Sequence, residues 1–286
     1  MMGQLFLSSR PLSWVNTAFP FAAAYIVTTG RIDVALIVGT VYFLIPYNLA
    51  MYGINDVFDY ESDLRNPRKG GVEGAVLDRS LHRPTLIAVV VTNTPFLVVL
   101  VLLGSALSWL VLAISVFAVI AYSAPVLRFK ERPVLDSITS STHFVSPAVY
   151  GLVLAGAVFD VALVALLAAY FLWGMASHAF GAVQDVLADR EGGIASVATV
   201  FGARSTVRIA FFTYVAAGAL LLLTDWPGQL GALLVLPYAA NVLPFMSLRD
   251  DEGETANSGW RRFLWLNFAT GFFVTMLFIA FAFLRQ

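Results

Sequence analysis

The sequence contains no cysteine, which excludes disulfide frameworks, thiolate metal sites and cysteine nucleophiles. Charge is also scarce, because Asp, Glu, Lys and Arg make up only 12% of the 286 residues, against about 25% in a soluble domain. Hydrophobic residues reach 59%, and the mean hydropathy is +0.81. One globular core cannot bury that much apolar surface. We therefore predict a protein whose outer surface is covered by lipid.

Apolar segments of membrane-spanning length, about 17–25 residues, recur along the whole chain. The nine segments are 12–29, 34–56, 84–105, 107–124, 136–157, 160–182, 205–224, 228–248 and 260–284. Short polar breaks alternate with longer charged connections, so all of the longer connections should lie on one side of the membrane. The sequence predicts an all-α, polytopic membrane protein with nine transmembrane helices.

The positions of the basic residues predict the orientation. All seventeen Lys and Arg residues except Arg31 and Arg285 lie in the N-terminal segment, the longer connections or the adjoining helix ends. Positively charged connections stay in the cytoplasm. We therefore expect an integral protein of a prokaryotic plasma membrane, with the N-terminus and the long connections in the cytoplasm and the C-terminus outside.

An aspartate-rich stretch follows the second apolar segment. On a continuous helix, Asp56, Asp59 and Asp63 share one face, and Asn48 and Asn55 extend that face toward the membrane interior. Ionised carboxylates at membrane depth cost several kcal/mol each unless they are paired. Mg²⁺ binds carboxylate oxygens together with substrate phosphates, so the stretch predicts a Mg²⁺ site.

A second acidic cluster follows the sixth apolar segment. Asp185 and Asp189 are four residues apart, and His178 lies seven residues before the first of them. Both clusters are aspartates spaced by four at the predicted cytoplasmic end of a membrane helix. This weak internal repeat predicts two similar halves that face each other across a helix bundle.

Basic residues close to both clusters suggest a phosphorylated ligand. Arg65 and Lys69 follow the first cluster, Arg190 follows the second, and Arg128 and Lys130 lie in the connection 125–135. A diphosphate requires metal ions and basic groups together. Any membrane protein also uses cytoplasmic Arg and Lys for orientation and for lipid headgroups, so each basic residue taken alone is more simply topological.

Other readings of single residues remain open. His178 is as consistent with a satisfied core histidine as with a site residue. Acidic residues at loop edges, such as Asp250, are interpreted as helix caps or as solvated.

The competing class of protein is a cation- or proton-coupled transporter, which predicts charged or Gly/Pro-broken positions near the bilayer midplane. The carboxylates instead gather at one cytoplasmic level beside basic residues, which disfavours transport.

The motifs resemble those of the UbiA superfamily of intramembrane prenyltransferases. N-D-x-x-D-x-x-x-D at 55–63 and D-x-x-x-D-R at 185–190 look like its two signatures, and Y-S-x-P-x-x-R-x-K at 122–130 is similar to its loop between the fourth and fifth helices. The resemblance implies an enzyme with a single membrane-embedded domain over 1–286. It also implies nine helices around a central cavity and Mg²⁺-dependent use of an isoprenyl diphosphate donor.

The resemblance also implies roles for individual residues. The implied metal ligands and catalytic residues are Asp56, Asp59, Asp63, Asp185 and Asp189. The implied diphosphate- or substrate-binding residues are Asn48, Asn55, Arg65, Lys69, Tyr122, Arg128, Lys130 and His178. Many members have a third aspartate in the second signature where this chain has Ala182, so His178 or Gln184 is expected to contribute there.

Two strings, at 47–56 and at 178–185, look most like the lycopene elongase branch of the superfamily. That branch implies a dimethylallyl donor and a lipophilic, lycopene-like acceptor. Membrane lipid is a further expected partner, and no nucleic acid partner is expected. The alternative within the superfamily is prenylation of an aromatic quinone precursor. An aromatic acid acceptor requires a buried arginine, and we expect none outside the connections.

Overall fold

The computed structural model describes residues 2–64 and 77–284. These residues form thirteen α-helices joined by loops and short 3-10 turns, and neither range contains a β-strand. The predicted all-α class is confirmed. The candidate residues Arg65 and Lys69 lie outside the described residues, and so does the side chain of Asp63.

The helices follow one another in chain order with bounds close to the predicted apolar segments. They are α1 (Met2–Ser8), α2 (Val15–Thr29), α3 (Val34–Leu44), α4 (Pro46–Phe58), α5 (Tyr60–Asp63), α6 (His82–Leu103), α7 (Ala106–Ser123), α8 (Leu135–Leu154), α9 (Val161–Val183), α10 (Val186–Glu191), α11 (Val197–Leu221), α12 (Gly231–Val242) and α13 (Asn257–Leu284).

Six helical stretches among the described residues are long and apolar enough to cross a membrane. They are Val34–Phe58, Arg79–Leu103, Ala106–Ser123, Val161–Val183, Gly228–Phe245 and Asp250–Leu284. The helices α2, α8 and α11 fill the other three predicted segments, but α2 has only 15 residues and none of the three is among those six stretches. Integral membrane character is supported, and the count of nine spans stays a prediction.

The second predicted span is divided into α3 and α4 at Ile45 (φ −113°, ψ −64°). Pro46 begins α4, and because proline has no backbone N–H it cannot continue the hydrogen bonding of α3. The Asn48 amide donates to the carbonyl oxygens of Phe43 (2.8 Å) and Leu44 (3.1 Å) beside this break. Asn48 is fully buried, and its amide satisfies acceptors that an uninterrupted helix would satisfy itself.

The chain divides into two compact units, and α8 contributes residues to both. The first unit comprises 1–129 and 142–157, and the second comprises 130–141 and 158–286. The single domain predicted over the whole chain stays a prediction.

Aromatic rings form the core of the first unit. Phe21 on α2 contacts Phe43 on α3 (ring centroids 5.2 Å apart) and Tyr150 on α8 (6.0 Å), and all three rings are buried. α8 approaches α2 closely at Gly151, where a Cβ atom would lie 2.8 Å from the carbonyl oxygen of Phe21. Small residues at helix contacts allow such close approach in membrane proteins.

The second unit is built around α9, α11 and α12. Tyr214 on α11 stacks on Tyr238 on α12 with centroids 5.6 Å apart, and Tyr238 in turn meets Trp173 of α9 edge-on. The hydroxyl groups of Tyr214 and Ser177 are hydrogen-bonded at 2.9 Å. These two buried hydroxyl groups thus satisfy each other, as an apolar interior favours.

We predict that Gly151→Ala destabilises the protein by about 1–3 kcal/mol, the usual cost of overpacking. The added methyl group would press against a backbone oxygen, which cannot move without displacing α2. Gly271→Ala is the matched control, because Gly271 is also inside a helix but has no heavy atom within 4 Å of its Cβ position. The control should gain up to about 1 kcal/mol from helix propensity. Thermal unfolding in detergent micelles tests this, and equal effects at the two positions would contradict the close approach.

Candidate active site

The two aspartate clusters share one backbone arrangement. In the first unit α4 ends at Phe58, and Asp59 (φ −100°, ψ 0°) separates it from the short helix α5. In the second unit α9 ends at Val183, and Asp185 (φ −99°, ψ −1°) precedes the short helix α10. Both residues lie in the sparsely populated bridge region, where many active-site residues are found. The predicted internal repeat is therefore also present in the backbone.

The prediction of one continuous helical face through Asp56, Asp59 and Asp63 is wrong. Asp59 leaves the helical conformation, so Asp63 belongs to a separate helix, α5. The backbone turns at Asp59, and the spacing of three and four residues no longer determines which side chains share a face.

Asp56 is buried, with 1% of its surface exposed, and both of its carboxylate oxygens are bound by the N-terminal segment. The Ser8 hydroxyl donates to Oδ2 at 2.7 Å, and the Arg10 guanidinium donates to Oδ1 at 3.1 Å. Arg10 also lies over the ring of Tyr52, 4.4 Å from its centroid. A buried carboxylate is tolerated when it is paired and hydrogen-bonded in this way.

Asp59 is 4% exposed and forms an ion pair with Arg128, with 3.7 Å between Oδ1 and Nη2. Nearby, the Ser123 hydroxyl donates to the Asn55 side-chain oxygen at 2.9 Å. The structure thus brings the predicted basic residue Arg128 to the first aspartate cluster. The neighbouring Tyr122 is half-buried.

The second cluster is half-buried, with Asp185 and Asp189 on successive turns. The backbone N–H of Asp189 donates to the Asp185 carbonyl oxygen at 2.8 Å. Gln184 donates to the Gly181 carbonyl oxygen and accepts from Asn257 of α13 at 2.6 Å. Gln184 is therefore engaged in joining α9 to α13, while Ala182 occupies the position that corresponds to Asp56 in the first unit.

His178 is half-buried and hydrogen-bonds to a pair of buried polar residues in the second unit. Its Nδ1 atom is 3.1 Å from the Ser137 hydroxyl, which is 3.3 Å from Oδ1 of Asp136. The other Asp136 oxygen accepts the backbone N–H of Val197 at 2.7 Å. Asp136 is fully buried, and it joins the start of α8 to the start of α11. These hydrogen bonds therefore connect His178 of α9 with Val197, the first residue of α11.

Arg190, the basic residue after the second cluster, is bound within the protein. Its guanidinium pairs with Asp250 at 2.6 Å and donates twice to the Thr199 carbonyl oxygen. The other Asp250 oxygen accepts the N–H of Ala203 at 2.7 Å, beside Gly202 with its positive φ of 78°. The reading of Asp250 as a cap agrees with these contacts. Arg190 therefore stabilises, through Asp250, the break in α11 at Gly202.

The candidate site fits Mg²⁺ in the chemistry of its donors. No group of three or more His, Asp or Glu side chains that could hold a metal ion occurs within the described part of the chain. Mg²⁺ does not need such a cage, because one or two carboxylates together with substrate phosphates suffice. Asp56 and Asp59, buried at the end of α4, are donors of that kind.

Three residues at or beside these clusters were not predicted from the sequence as parts of the site. Ser8 and Arg10 come from the N-terminal segment, and Asp136 begins α8. Asp136 did carry a signal, because a carboxylate at the start of an apolar segment followed by Ser and Thr needs a partner inside the membrane protein. No local pattern connects Arg10 with Asp56, 46 residues away.

The fold and these sites define an all-helical membrane protein with acidic residues at the ends of two helices. The model of the UbiA prenyltransferase family matches residues 17–269. The chain therefore belongs to the UbiA prenyltransferase family and is an enzyme, a prenyltransferase. This result decides against the transporter alternative.

Comparisons with individual proteins agree with this assignment. The chain is 58% identical to the C(50) beta-cyclic carotenoids biosynthesis protein of Dietzia sp. (strain CQ4), over 97% of this chain but only 64% of that protein. It is 52% identical to a lycopene elongase/hydratase of Corynebacterium glutamicum, over 96% of both chains. A UbiA homolog from Archaeoglobus fulgidus, solved bound to DMAPP and Mg²⁺, has the same fold (TM-score 0.68, 17% identity, 93% of this chain and 98% of that chain).

We predict that Asp136→Ala destabilises the protein by about 2–3 kcal/mol, because the buried N–H of Val197 loses a charged acceptor. Asp160→Ala is the control, since Asp160 is an exposed helix cap that accepts the N–H of Leu163 and its loss should cost only about 1 kcal/mol. Thermal unfolding of both purified variants measures the difference. An Asp136 variant as stable as the control would contradict the proposed join between α8 and α11.

Proposed function

We propose that this enzyme transfers a dimethylallyl group from its diphosphate to lycopene or a related carotenoid, with Mg²⁺ as cofactor. The observation that carries the proposal is the pair of aspartate clusters with the same backbone conformation at Asp59 and Asp185. The 52% identity to a lycopene elongase/hydratase over nearly the whole chain supports the carotenoid acceptor. The archaeal homolog of the same fold was solved with DMAPP and Mg²⁺.

Five carboxylates are the proposed metal ligands and catalytic residues. They are Asp56, Asp59, Asp63, Asp185 and Asp189. Bound Mg²⁺ supplies positive charge that offsets the charge of the diphosphate. These carboxylates would hold Mg²⁺, which binds one or two carboxylates together with substrate phosphates.

The basic residues act when the bond between the prenyl carbon and the diphosphate oxygen breaks. The electron pair leaves with the diphosphate, and Lys69, Arg128 and Lys130 offset the charge that develops there. Arg128 is held beside Asp59 by their ion pair, so its guanidinium is already positioned at the first cluster. Lys130 lies half-exposed in the 3-10 turn Phe129–Glu131.

The departing diphosphate leaves an allylic cation, which a double bond of the acceptor attacks to form a carbon–carbon bond. The cation that results on the acceptor then loses a proton or takes up water. Bulk water must be excluded until the first step is complete. The remaining proposed substrate-binding residues are Asn48, Asn55, Arg65, Tyr122 and His178.

An apolar acceptor needs no charged group of the protein to bind it. Arg10, which precedes the first predicted span, is half-buried, with 21% of its side chain exposed. Its guanidinium is bound to Asp56, however, and so is already engaged by a carboxylate of the protein. Prenylation of an aromatic quinone precursor gains no support from Arg10.

The cytoplasmic orientation of the long connections stays a prediction.

We predict that Asp59→Asn and Asp185→Asn each lower Mg²⁺-dependent diphosphate release from dimethylallyl diphosphate at least about 100-fold. The amide keeps the shape of the side chain but removes the charge that holds the metal, and losses of this size follow the removal of a single electrostatic group from a catalytic site. Diphosphate release by the purified protein with and without Mg²⁺ is the measurement. Asp160→Asn, at an exposed helix cap, should keep full activity. Substantial turnover in both cluster variants would refute the metal site.

We also predict that a lycopene-producing bacterial host expressing this chain accumulates C45 and C50 carotenoids. Mass analysis of the extracted pigments measures the added five-carbon units. The same host expressing Asp59→Asn should retain lycopene. Unchanged lycopene alongside verified active protein, as judged by diphosphate release, would contradict the carotenoid acceptor. A prenylated aromatic lipid would favour the quinone-precursor alternative.

A further inference from the structure

Both carboxylate oxygens of Asp56 are contacted by the N-terminal segment. Ser8 and Arg10 contact both of its oxygens, at 2.7 and 3.1 Å, and Ser8 is itself 2% exposed. The second unit has Ala182 at the corresponding position, where no counterion is required. Asp56, which Ala182 replaces in the second unit, is thus paired with Arg10 of the N-terminal segment.

The N-terminal segment holds Arg10 in a specific geometry. The Arg10 backbone is in the left-handed region (φ 50°, ψ 73°), which is uncommon for a residue other than glycine. The Trp14 indole N–H donates to the carbonyl oxygen of Ser9 at 3.0 Å and contacts its hydroxyl at 3.1 Å, which ties down the turn. Such strained residues persist when the surrounding structure determines them, and they cluster at functional sites.

Part of the hydrogen-bonding capacity of the Arg10 guanidinium is unused among the described residues. Its Nε atom is buried and has no hydrogen-bond partner among the described residues, while one Nη group binds Asp56 and the guanidinium covers the ring of Tyr52. A buried donor without an acceptor is costly. A phosphate oxygen is an acceptor that a guanidinium binds well.

We propose that Arg10 and Ser8 are positioning residues that hold Asp56 and oppose Mg²⁺ binding at its carboxylate until the diphosphate arrives. This inference rests on the proposed function. Arg10 already neutralises Asp56, so a Mg²⁺ ion at that carboxylate meets a neighbouring positive charge and competes for the same oxygens. The diphosphate brings negative charge that offsets both cations. Metal and diphosphate therefore bind cooperatively.

The experiment is calorimetric titration of Mg²⁺ into the full-length protein, with and without inorganic diphosphate and with matched blanks that lack protein. In the wild-type enzyme diphosphate should tighten Mg²⁺ binding at least about 10-fold, within the usual range of coupling between two ligands. In Arg10→Gln, Mg²⁺ alone should bind roughly 5–10-fold more tightly than in the wild type, and the enhancement by diphosphate should shrink. Arg10→Lys, which keeps the positive charge, should restore most of the wild-type coupling.

Two further variants keep the result decisive. Ser8→Ala removes the Ser8 hydrogen bond to Oδ2 of Asp56 but leaves the guanidinium. It should therefore strengthen binding of Mg²⁺ alone by roughly twofold, within the usual range of coupling, even if Arg10→Gln folds poorly. Arg31→Gln is the control for loss of a positive charge elsewhere in the first unit and should change nothing. Mg²⁺ affinity that is unchanged or weaker in both Arg10→Gln and Ser8→Ala overturns the inference.

Asp56→Asn separates this inference from the proposed function. If Asp56→Asn weakens Mg²⁺ binding while the Arg10 and Ser8 variants behave as the wild type, the metal site stands and only the positioning role fails. If Asp56→Asn leaves Mg²⁺ binding unchanged, Asp56 is not a metal ligand and both proposals fail at this residue.

Discussion

An ionised carboxylate cannot remain unpaired inside an apolar helix bundle, and this constraint determines how several segments of the enzyme dock. Asp56, Asp59 and Asp136 are all buried. Each is matched by a different segment: the N-terminal turn with Arg10, the loop with Arg128, and the start of α11. Elements that share no sequence pattern are thereby held together by the buried charges.

The same pairing connects the fold to the chemistry. The charges that neutralise Asp56 and Asp59 belong to arginines, whose guanidinium groups also suit phosphate. The same arginines therefore pair with carboxylates of the protein and are suited to the proposed diphosphate. The two aspartate clusters share a backbone conformation, but Ala182 leaves the second cluster without the counterpart of Asp56. The pairing of the Arg10 guanidinium with an aspartate is thus a feature of the first unit.

Local patterns predicted only part of this arrangement. The helix ends at Asp59 and Asp185 were found because aspartates spaced by four are visible in the sequence. The break at Asp59 was not expected, because helical periodicity carries no information about where a helix stops at a bridge conformation. Arg190 follows its aspartates as a phosphate-binding residue would, yet it pairs with Asp250, 60 residues away. Only the folded chain brings those two groups together.

The sequence by itself determined the membrane environment, the all-helical class, the acidic helix ends and the family. Each of these depends on composition or on residues that are close together along the chain, where hydropathy and spacing act directly. The tertiary structure decided which cation serves each buried carboxylate, and it divided the predicted aspartate face at Asp59. Arg10 could not be assigned to Asp56 from spacing, because burial of the carboxylate creates the need for a cation but only the packing of the N-terminal segment on α4 selects one.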